Sequence, residues 1–176
     1  MAEASTILTD LRQQPTSRFV FVHPAHFVAF GFGIGLVPYG PGTWGTVLAF
    51  PIYYGLASMM PDQALLACIA LSIVIGVWIC DVTGRHLGVH DHSGMVWDEI
   101  AAFMLVLFFI PAQLVWQACA FVLFRIFDIF KPPPIRQLDR GIHNGFGVML
   151  DDLVAAFYTL LCLAAWQRFS TWATAF

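Results

Sequence analysis

Charged side chains gather in two short stretches of an otherwise apolar chain. The chain has 8 Lys and Arg and 11 Asp and Glu residues, and 13 of these 19 lie within residues 81–99 and 125–152. An ionisable group beside hydrocarbon is costly unless it is paired, bound to a metal or open to water. These first and second charged stretches therefore predict a reaction centre at the edge of an apolar body, with side chains that suit metal-dependent phosphate chemistry.

The first charged stretch ends in a carboxylate pair, Asp98 and Glu99, directly before an apolar run that begins at Ile100. Two adjacent acids at the start of an apolar helix are costly unless a cation neutralises them. Hard oxygen ligands of this kind suit Mg²⁺ or Mn²⁺ better than zinc. We therefore interpret Asp98 and Glu99 as candidate metal-binding and catalytic residues.

Histidines precede that pair in the same stretch. His86 and His90 are four residues apart, a spacing that could bind zinc from one face of a helix, but Gly88 between them favours a loop. His90 and Asp91 are candidate catalytic residues. The alternative for them is a hydrogen-bonded turn.

The second charged stretch begins with Arg125, Asp128 and Lys131, which are three residues apart and would share one face of a helix. Such spacing commonly marks a ladder of ion pairs on a solvated face, but here the preceding residues are apolar. Prolines 132–134 end the helix. Guanidinium groups bind phosphate oxygens in a fork, so these cations predict a phosphate clamp beside metal-binding carboxylates. The candidate phosphate ligands are Arg125, Lys131, Arg136 and Arg140, and Asp128 is a candidate metal ligand.

Two further segments carry candidate ligands. Asp151 and Asp152 stand directly before an apolar run; one acid would suffice to stabilise a helix N-terminus, so two favour a ligand role. The glycine-rich segment 31–46 lacks the lysine of a P-loop. Thr43 and the backbone N–H groups beside it could still bind an anion where the next helix begins, with a tight turn at the membrane edge as the alternative.

Apolar runs rich in Leu, Ala, Phe and Met connect these segments and predict helices. Runs 46–60 and 64–80 are short for a membrane crossing, which needs about 20 apolar residues. Run 100–124 could cross once, but a single crossing would put the two charged stretches on opposite faces. Pro111 predicts a break near its middle, so that two half-length helices return to the same face.

The composition predicts a protein that lies in or on a membrane. The chain of 176 residues is 59% hydrophobic and 11% charged, whereas ordinary globular domains are about 25% charged. The mean hydropathy is +0.76. We expect a polar leader over residues 1–22 and a single helical domain over residues 23–170. Helices that pack around each other as an ordinary buried core are the alternative.

Charge and cysteine usage exclude other classes. A net charge of −3 argues against a nucleic-acid partner. The four cysteines lie inside apolar runs, without Cys-x-x-Cys spacing or a nearby histidine at ligand spacing. We interpret them as packing or lipid-facing residues rather than as disulfide or zinc ligands.

Four segments in order resemble the phosphatidylglycerophosphatase A family of bacterial lipid phosphatases. They are PYGPGTWGT at 38–46, GVHDHSGMVWDE at 88–99, FRIFDIFKPPPIRQLDRG at 124–141 and GFGVMLDD at 145–152. The resemblance implies an all-α, multi-helical, Mg²⁺-dependent enzyme. The segment lengths add the expectation of a membrane-associated bundle with short and re-entrant helices.

The resemblance also implies an activity and a set of site residues. The family removes the terminal phosphate from phosphatidylglycerophosphate to give phosphatidylglycerol, in phospholipid biosynthesis. We expect the site to face the cytoplasm from the bacterial inner membrane, which is where positively charged loops tend to lie. The motif residues map onto Asp98, Glu99, Asp128, Asp151, Asp152, Arg125, Lys131, Arg136 and Arg140. No cysteine lies within the charged stretches and no Asp-x-Asp pair is present, so direct attack by a metal-activated water is favoured.

Two other classes remain as alternatives. One is a different membrane phosphotransfer enzyme acting on a lipid phosphate, although the Asp-Gly-x-x-Ala-Arg run of enzymes that join an alcohol to a CDP-lipid is missing. The other is a small cation transporter. A transporter should carry its acids in mid-span, whereas these acids lie at segment ends beside Arg and Lys.

Overall fold

The computed structural model describes residues 15–133, 135, 137 and 141–173, and it is all-helical there, with no strand in these ranges. The predicted all-α class is confirmed. In chain order the helices are α1 (Ser17–Val22), α2 (Pro24–Ala29), a 3₁₀ segment (Gly31–Leu36), α3 (Pro41–Ala57), α4 (Asp62–Leu87), α5 (Trp97–Phe109), α6 (Leu114–Phe130) and α7 (Gly145–Ala173).

Helix α5 is the centre of the fold. It packs against α3, α4, α6 and α7, and eight of its 13 residues are buried. Phe103 on its inner face lies edge-on or tilted against Phe50, Phe121 and Phe124. A fully buried Phe stabilises a fold by roughly 1.5–3 kcal/mol relative to an exposed one, so this aromatic cluster holds α3 and α6 around α5. The charged N-terminal turn of α5 is thereby held at one end of the core.

The predicted break near Pro111 is confirmed. Helix α5 ends at Phe109 and α6 begins at Leu114. At 1.5 Å per residue the two helices are about 20 and 26 Å long, so each is shorter than a hydrocarbon core of about 30 Å. The start of α5 and the end of α6 meet, because Arg125 Nη1 lies 3.6 Å from Glu99 Oε1.

The prediction of a short second run was wrong. Residues 64–80 are only the middle of α4, which has 26 residues and continues through the charged positions 81–87. Asp81 and Arg85 are one turn apart and pair at 3.0 Å, so the helix carries these charges at little cost. It ends at Gly88, whose φ of 74° is left-handed.

Two helices are long and apolar enough to cross a membrane. They are Asp62–Leu87 and residues Gly145–Phe169 of α7, with mean hydropathies of 2.5 and 1.8 in their most apolar windows. The larger part of each such window faces outward from the protein. This agrees with the membrane association that the composition predicts.

The described end of the predicted leader is part of the folded body. Thr16 caps α1, since its hydroxyl accepts a hydrogen bond from the Phe19 N–H. Val20 is fully buried and belongs to a second apolar cluster with Phe30, Cys80 and Met149. Helices α1 and α2 therefore pack over the side of the bundle that α4 and α7 form.

Candidate active site

Acidic side chains from three helices converge on one cavity. Asp98 and Glu99 lie in the first turn of α5, Asp128 lies near the end of α6, and Asp151 and Asp152 lie in α7. The cavity has a volume of about 210 Å³. Its lining residues are Gly40, Pro41, Gly42, Asp91, Ser93, Met95, Asp98, Glu99, Arg125, Asp128, Lys131, Asp151 and Asp152.

Three of these acids form a cluster with the dimensions of a metal site. One carboxylate oxygen from each of Asp98, Glu99 and Asp152 lies within 4.8 Å of the other two. Asp98 and Asp152 are 7% and 3% exposed, and the Glu99 side chain is 12% exposed. Asp128 is in hydrogen-bonding contact with Asp152. Four carboxylates thus share a small and largely buried space.

The bonding of the cluster fits a hard divalent cation. Asp98 Oδ1 and Glu99 Oε2 are buried, and neither accepts a hydrogen bond from any described residue. A buried carboxylate oxygen without a partner is costly, so native proteins pair such atoms or coordinate a metal with them. Oxygen ligands from several carboxylates suit Mg²⁺ or Mn²⁺. The candidate ligands are therefore Asp98, Glu99 and Asp152, with Asp128 beside them.

Burial makes it costly to ionise this cluster in the absence of a cation. Burial first, and then the negative charges of Glu99 and Asp152, raise the pKa of Asp98 well above its ordinary value. Burial is also the main reason why the pKa of Glu99 rises to about 7, although Arg125 opposes the shift. The metal-free site consequently retains protons that a bound cation would displace.

Arg125 is the cation at the centre of the acidic cluster. Its Nη1 lies 2.6 Å from Asp128 Oδ2 and 3.6 Å from Glu99 Oε1, and the side chain is 14% exposed. Nη1 also donates to Thr46 Oγ1 at 3.5 Å. The Thr46 hydroxyl is fully buried and donates to the Gly42 carbonyl at 2.9 Å. Helices α3, α5 and α6 are therefore joined through one guanidinium group.

Lys131 reaches the site from the end of α6 through a left-handed backbone conformation. Its φ is 42°, and its N–H donates to the Phe127 carbonyl at 2.9 Å. The side chain pairs with Asp151, with Nζ at 2.5 Å from Oδ2. Asp151 is thus paired with a cation, whereas Asp152 contributes to the carboxylate cluster. The two adjacent acids differ in their partners.

The expectation that these two acids precede a helix was wrong. Helix α7 begins at Gly145, so Asp151 and Asp152 lie in its second turn. Its N-terminus is capped by Asn144, whose Oδ1 accepts hydrogen bonds from the N–H groups of Phe146 and Gly147. The acids are therefore not needed as N-terminal charges, which strengthens the case for a ligand role.

The first turn of helix α3 packs closely against the acidic cluster. Gly40 is left-handed with φ 59°, and Pro41 follows it as the first helical residue. A Cβ atom on Gly42 would collide with Glu99 Oε1 and would approach Arg125 Nη1 closely. Glycine at position 42 therefore permits the contact of the α3 backbone with the acidic cluster.

We expect Gly42→Ala to lower activity about tenfold, because the new methyl group pushes Glu99 and Arg125 apart. Overpacking of this kind costs roughly 1–3 kcal/mol of stability. Gly55→Ala in the same helix is the matched control, since a Cβ there meets nothing within 4 Å. The control should keep full activity and gain up to about 1 kcal/mol from helix propensity. Steady-state kinetics and thermal unfolding measure both effects, and equal activity of the two variants would contradict this packing role.

The structure separates the histidines from the acidic cluster. His90 does not line the cavity; its ring lies against that of His143, with centroids 4.6 Å apart. His86 is in the last turn of α4, and its Nδ1 is 2.8 Å from Nε2 of His26. His86 and His90 therefore do not share a helix face, which removes the geometry on which the zinc alternative depended.

Other predicted site residues are placed as follows. Asp91 lines the cavity together with Ser93. Thr43 is half-buried in the first turn of α3 and is not among the lining residues, although its neighbours Gly40–Gly42 are. Arg136 and Arg140 lie outside the described residues, so their role in phosphate binding stays a prediction.

Sequence reasoning missed Thr46, and it considered Gly42 only for its backbone N–H group and not for its close packing against Glu99. Both belong to the PYGPGTWGT segment, but they contact the charged stretches only through tertiary packing. A Gly-x-x-x-Thr spacing at the start of a helix was the available signal, since it puts both residues on one face. The contact with Arg125, 79 positions away, has no counterpart in local sequence.

Comparison with known proteins decides the family. The family model described as phosphatidylglycerophosphatase A matches residues 27–167. The chain belongs to the phosphatidylglycerophosphatase A family. The resemblance inferred from four sequence segments is thus confirmed, and so, at the level of the family, is the expectation of a phosphoric monoester hydrolase.

Relatives named for this activity match most of the chain. The phosphatidylglycerophosphatase A of Escherichia coli (strain K12) is 43% identical over 85% of this chain and 87% of its own length. That of Haemophilus influenzae is 41% identical over 87% of this chain and 94% of its own length. A protein of Bacteroides thetaiotaomicron named putative phosphatidylinositol-3-phosphatase is 36% identical over 78% of this chain and 89% of its own length. No solved structure matches the chain.

Proposed function

We propose that this protein is a Mg²⁺-dependent lipid phosphatase that hydrolyses phosphatidylglycerophosphate to phosphatidylglycerol and inorganic phosphate. The observation that carries the proposal is the buried cluster of Asp98, Glu99 and Asp152 with Arg125 beside it. It occurs in a chain that belongs to the phosphatidylglycerophosphatase A family. The reaction supplies phosphatidylglycerol to phospholipid biosynthesis.

The carboxylate cluster would hold the Mg²⁺. Asp98, Glu99 and Asp152 offer oxygen atoms close together, and two of these side chains have buried oxygens that no described residue satisfies. When bound, the ion would neutralise phosphate charge and polarise the bond to be broken.

The cationic residues would bind and orient the phosphate. Arg125 and Lys131 line the same cavity from α6, and a guanidinium group stabilises charge on equatorial phosphoryl oxygens as the bond breaks. In the resting structure each of them pairs with an acid, Asp128 and Asp151 respectively. These ion pairs hold the cations in place, so little reorganisation is needed when the phosphate arrives. Arg136 and Arg140 complete the clamp in this proposal.

Hydrolysis consumes one water molecule. The bond between phosphorus and the glycerol oxygen breaks, the lipid alcohol leaves with a proton, and the hydroxyl group remains on the released phosphate. Asp91 lines the cavity beside Ser93, and we assign it to proton transfer with the attacking water or the leaving oxygen. His90 lies outside this cavity and would act only through the loop that carries Asp91.

The apolar exterior supports a site at the surface of a bilayer. Helices α4 and α7 would cross the bacterial inner membrane, while the hairpin of α5 and α6 stays among them as a re-entrant pair. Asp152 lies seven residues after the start of α7, about 11 Å along its axis. The cavity would then open near the cytoplasmic edge, where a lipid phosphate lies.

Phosphate release from a panel of phospholipids tests the function. Purified protein in detergent with Mg²⁺ should release phosphate from phosphatidylglycerophosphate at least tenfold faster than from phosphatidic acid or phosphatidylinositol 3-phosphate. The last substrate is included because one relative is named for it. Faster release from phosphatidylinositol 3-phosphate would reassign the substrate, and no release from any lipid would reject the proposed activity.

A further inference from the structure

A second and larger cavity lies directly beside the carboxylate site. Its volume is about 430 Å³, within the range of small-molecule sites. It shares three wall residues with the carboxylate cavity, namely Pro41, Asp91 and Ser93. A ligand whose phosphate occupies the smaller cavity can therefore extend into the larger one without leaving the protein surface.

Two glycines shape this cavity by close backbone contact. Gly35 of the 3₁₀ segment and Gly94 of the loop before α5 approach so closely that a Cβ on either would strike the backbone of the other. This contact holds the His92–Gly94 loop against residues 35–38, and both line the cavity. The cavity is therefore formed by two loops that pack together directly.

The polar groups of this cavity suit hydroxyl groups better than a second phosphate. Its described lining includes one acid, Asp91, and no Lys or Arg. The His92 Nδ1 accepts a hydrogen bond from the Gly94 N–H at 2.9 Å. In the neutral ring the proton therefore lies on Nε2, so that His92, which lines the cavity, can donate a hydrogen bond from Nε2. The Ser93 hydroxyl can donate or accept.

We propose that this cavity binds the hydroxyl-bearing alcohol to which the scissile phosphate is attached, with His92 and Ser93 as its hydrogen-bonding partners. The inference rests on the proposed function and adds to it the residues that select the leaving alcohol. For phosphatidylglycerophosphate, that alcohol is the glycerol between the two phosphates. Neither His92 nor Ser93 contributes to the metal cluster, so they should act on substrate selection rather than on metal binding.

Two soluble ligands of equal chain length isolate the subsite. Glycerol 3-phosphate carries two hydroxyl groups, and n-propyl phosphate carries none. Isothermal titration calorimetry on the full-length protein in detergent with Mg²⁺ should give about tenfold tighter binding of glycerol 3-phosphate, since a site built for hydroxyl groups discriminates against analogues that lack them. Equal affinities for the two ligands would overturn the subsite and leave the phosphate site intact. Binding of neither ligand would overturn the phosphate site itself, and the subsite with it.

The double variant His92→Asn with Ser93→Ala tests the two residues. Asparagine keeps an acceptor for the Gly94 N–H and so preserves the turn, and with that acceptor in place its shorter side chain leaves no donor at the position of Nε2. In this variant we expect glycerol 3-phosphate to bind about as weakly as n-propyl phosphate, so that the tenfold preference is lost. The affinity for n-propyl phosphate should be unchanged. Equal weakening of both ligands, or an unchanged preference, would overturn the assignment.

His143→Ala is the matched control, because His143 is exposed and lies against His90 rather than in either cavity. It should keep the full preference. If thermal unfolding shows that the double variant does not fold, Ser93→Ala alone is measured, since Ser93 is exposed and lies in no helix. In that variant the preference for glycerol 3-phosphate over n-propyl phosphate should be about threefold smaller. An unchanged preference would overturn the role of Ser93.

Discussion

Asp98→Asn, Asp128→Asn and Asp152→Asn are each expected to lower kcat by roughly a hundredfold or more. Each substitution keeps the shape of the side chain and removes one negative charge from the shared cavity. Charge stabilisation by a bound metal typically lowers the activation free energy by several kcal/mol, and about 1.4 kcal/mol corresponds to a tenfold change in rate. Steady-state phosphate release from phosphatidylglycerophosphate measures the effect.

Stability separates a catalytic loss from misfolding. Asp98 and Asp152 are buried and like charges surround them, so Asp98→Asn and Asp152→Asn should leave the metal-free protein as stable as before or more so. Asp128→Asn should instead lower stability, because it breaks the ion pair with the largely buried Arg125. Asp62→Asn is the control, because Asp62 is exposed at the start of α4, away from the cavity. It should keep full activity. If all three cavity variants lose only two- or threefold, these acids are not ligands and the proposed site is wrong.

Removal of divalent cations is expected to abolish turnover, and added Mg²⁺ is expected to restore it. Without a cation, Asp98 Oδ1 and Glu99 Oε2 have no partner among the described residues, and the cavity repels a phosphate. Phosphate release should fall to background in EDTA and recover on addition of Mg²⁺ in excess of the chelator. Full activity in EDTA would contradict a metal-dependent reaction.

The requirement for Mg²⁺ should depend on pH in a defined direction. Because the pKa of Glu99 is raised to about 7 in the metal-free site, protons compete with the cation below that pH. The Mg²⁺ concentration that gives half-maximal activity should therefore rise as the pH is lowered from 8 to 6. The same raised pKa predicts that the metal-free protein loses stability as the pH rises through 7, whereas excess Mg²⁺ should restore it. A Mg²⁺ requirement that does not change over this range would show that Glu99 is not a ligand.

The sequence by itself determined the class of the fold and predicted the chemistry that is proposed for the site. Long apolar runs rich in Leu, Ala, Phe and Met predicted helices rather than strands. A Pro at position 111 predicted a break in the longest of them, because proline lacks the N–H that a helix interior needs. The carboxylates and cations were visible as outliers in an apolar chain. Their chemical character follows from residue type alone, so the prediction of hard-metal and phosphate binding needed no coordinates.

Only the tertiary structure decided which charged groups act together. The sequence showed Asp151 and Asp152 as equivalent neighbours, but successive residues of a helix point about 100° apart. One of them therefore pairs with Lys131, whereas the other joins Asp98 and Glu99. In the same way Asp91 lines the cavity and its neighbour His90 does not. Neighbouring residues in the sequence can therefore direct their side chains towards different partners.

The bounds of the helices and the wall around the cluster also required the structure. Helix α4 continues past its apolar part, and there Asp81 and Arg85 pair one turn apart on its surface. Gly42 and Thr46 enter the site because α3 packs across α5 at its charged end. The contacts of Gly42 with Glu99 and of Thr46 with Arg125 join residues more than 50 positions apart, and local sequence does not contain the packing that brings them together. The sequence therefore supplied the candidate reacting groups, and the packing of α3, α6 and α7 around α5 determined their arrangement.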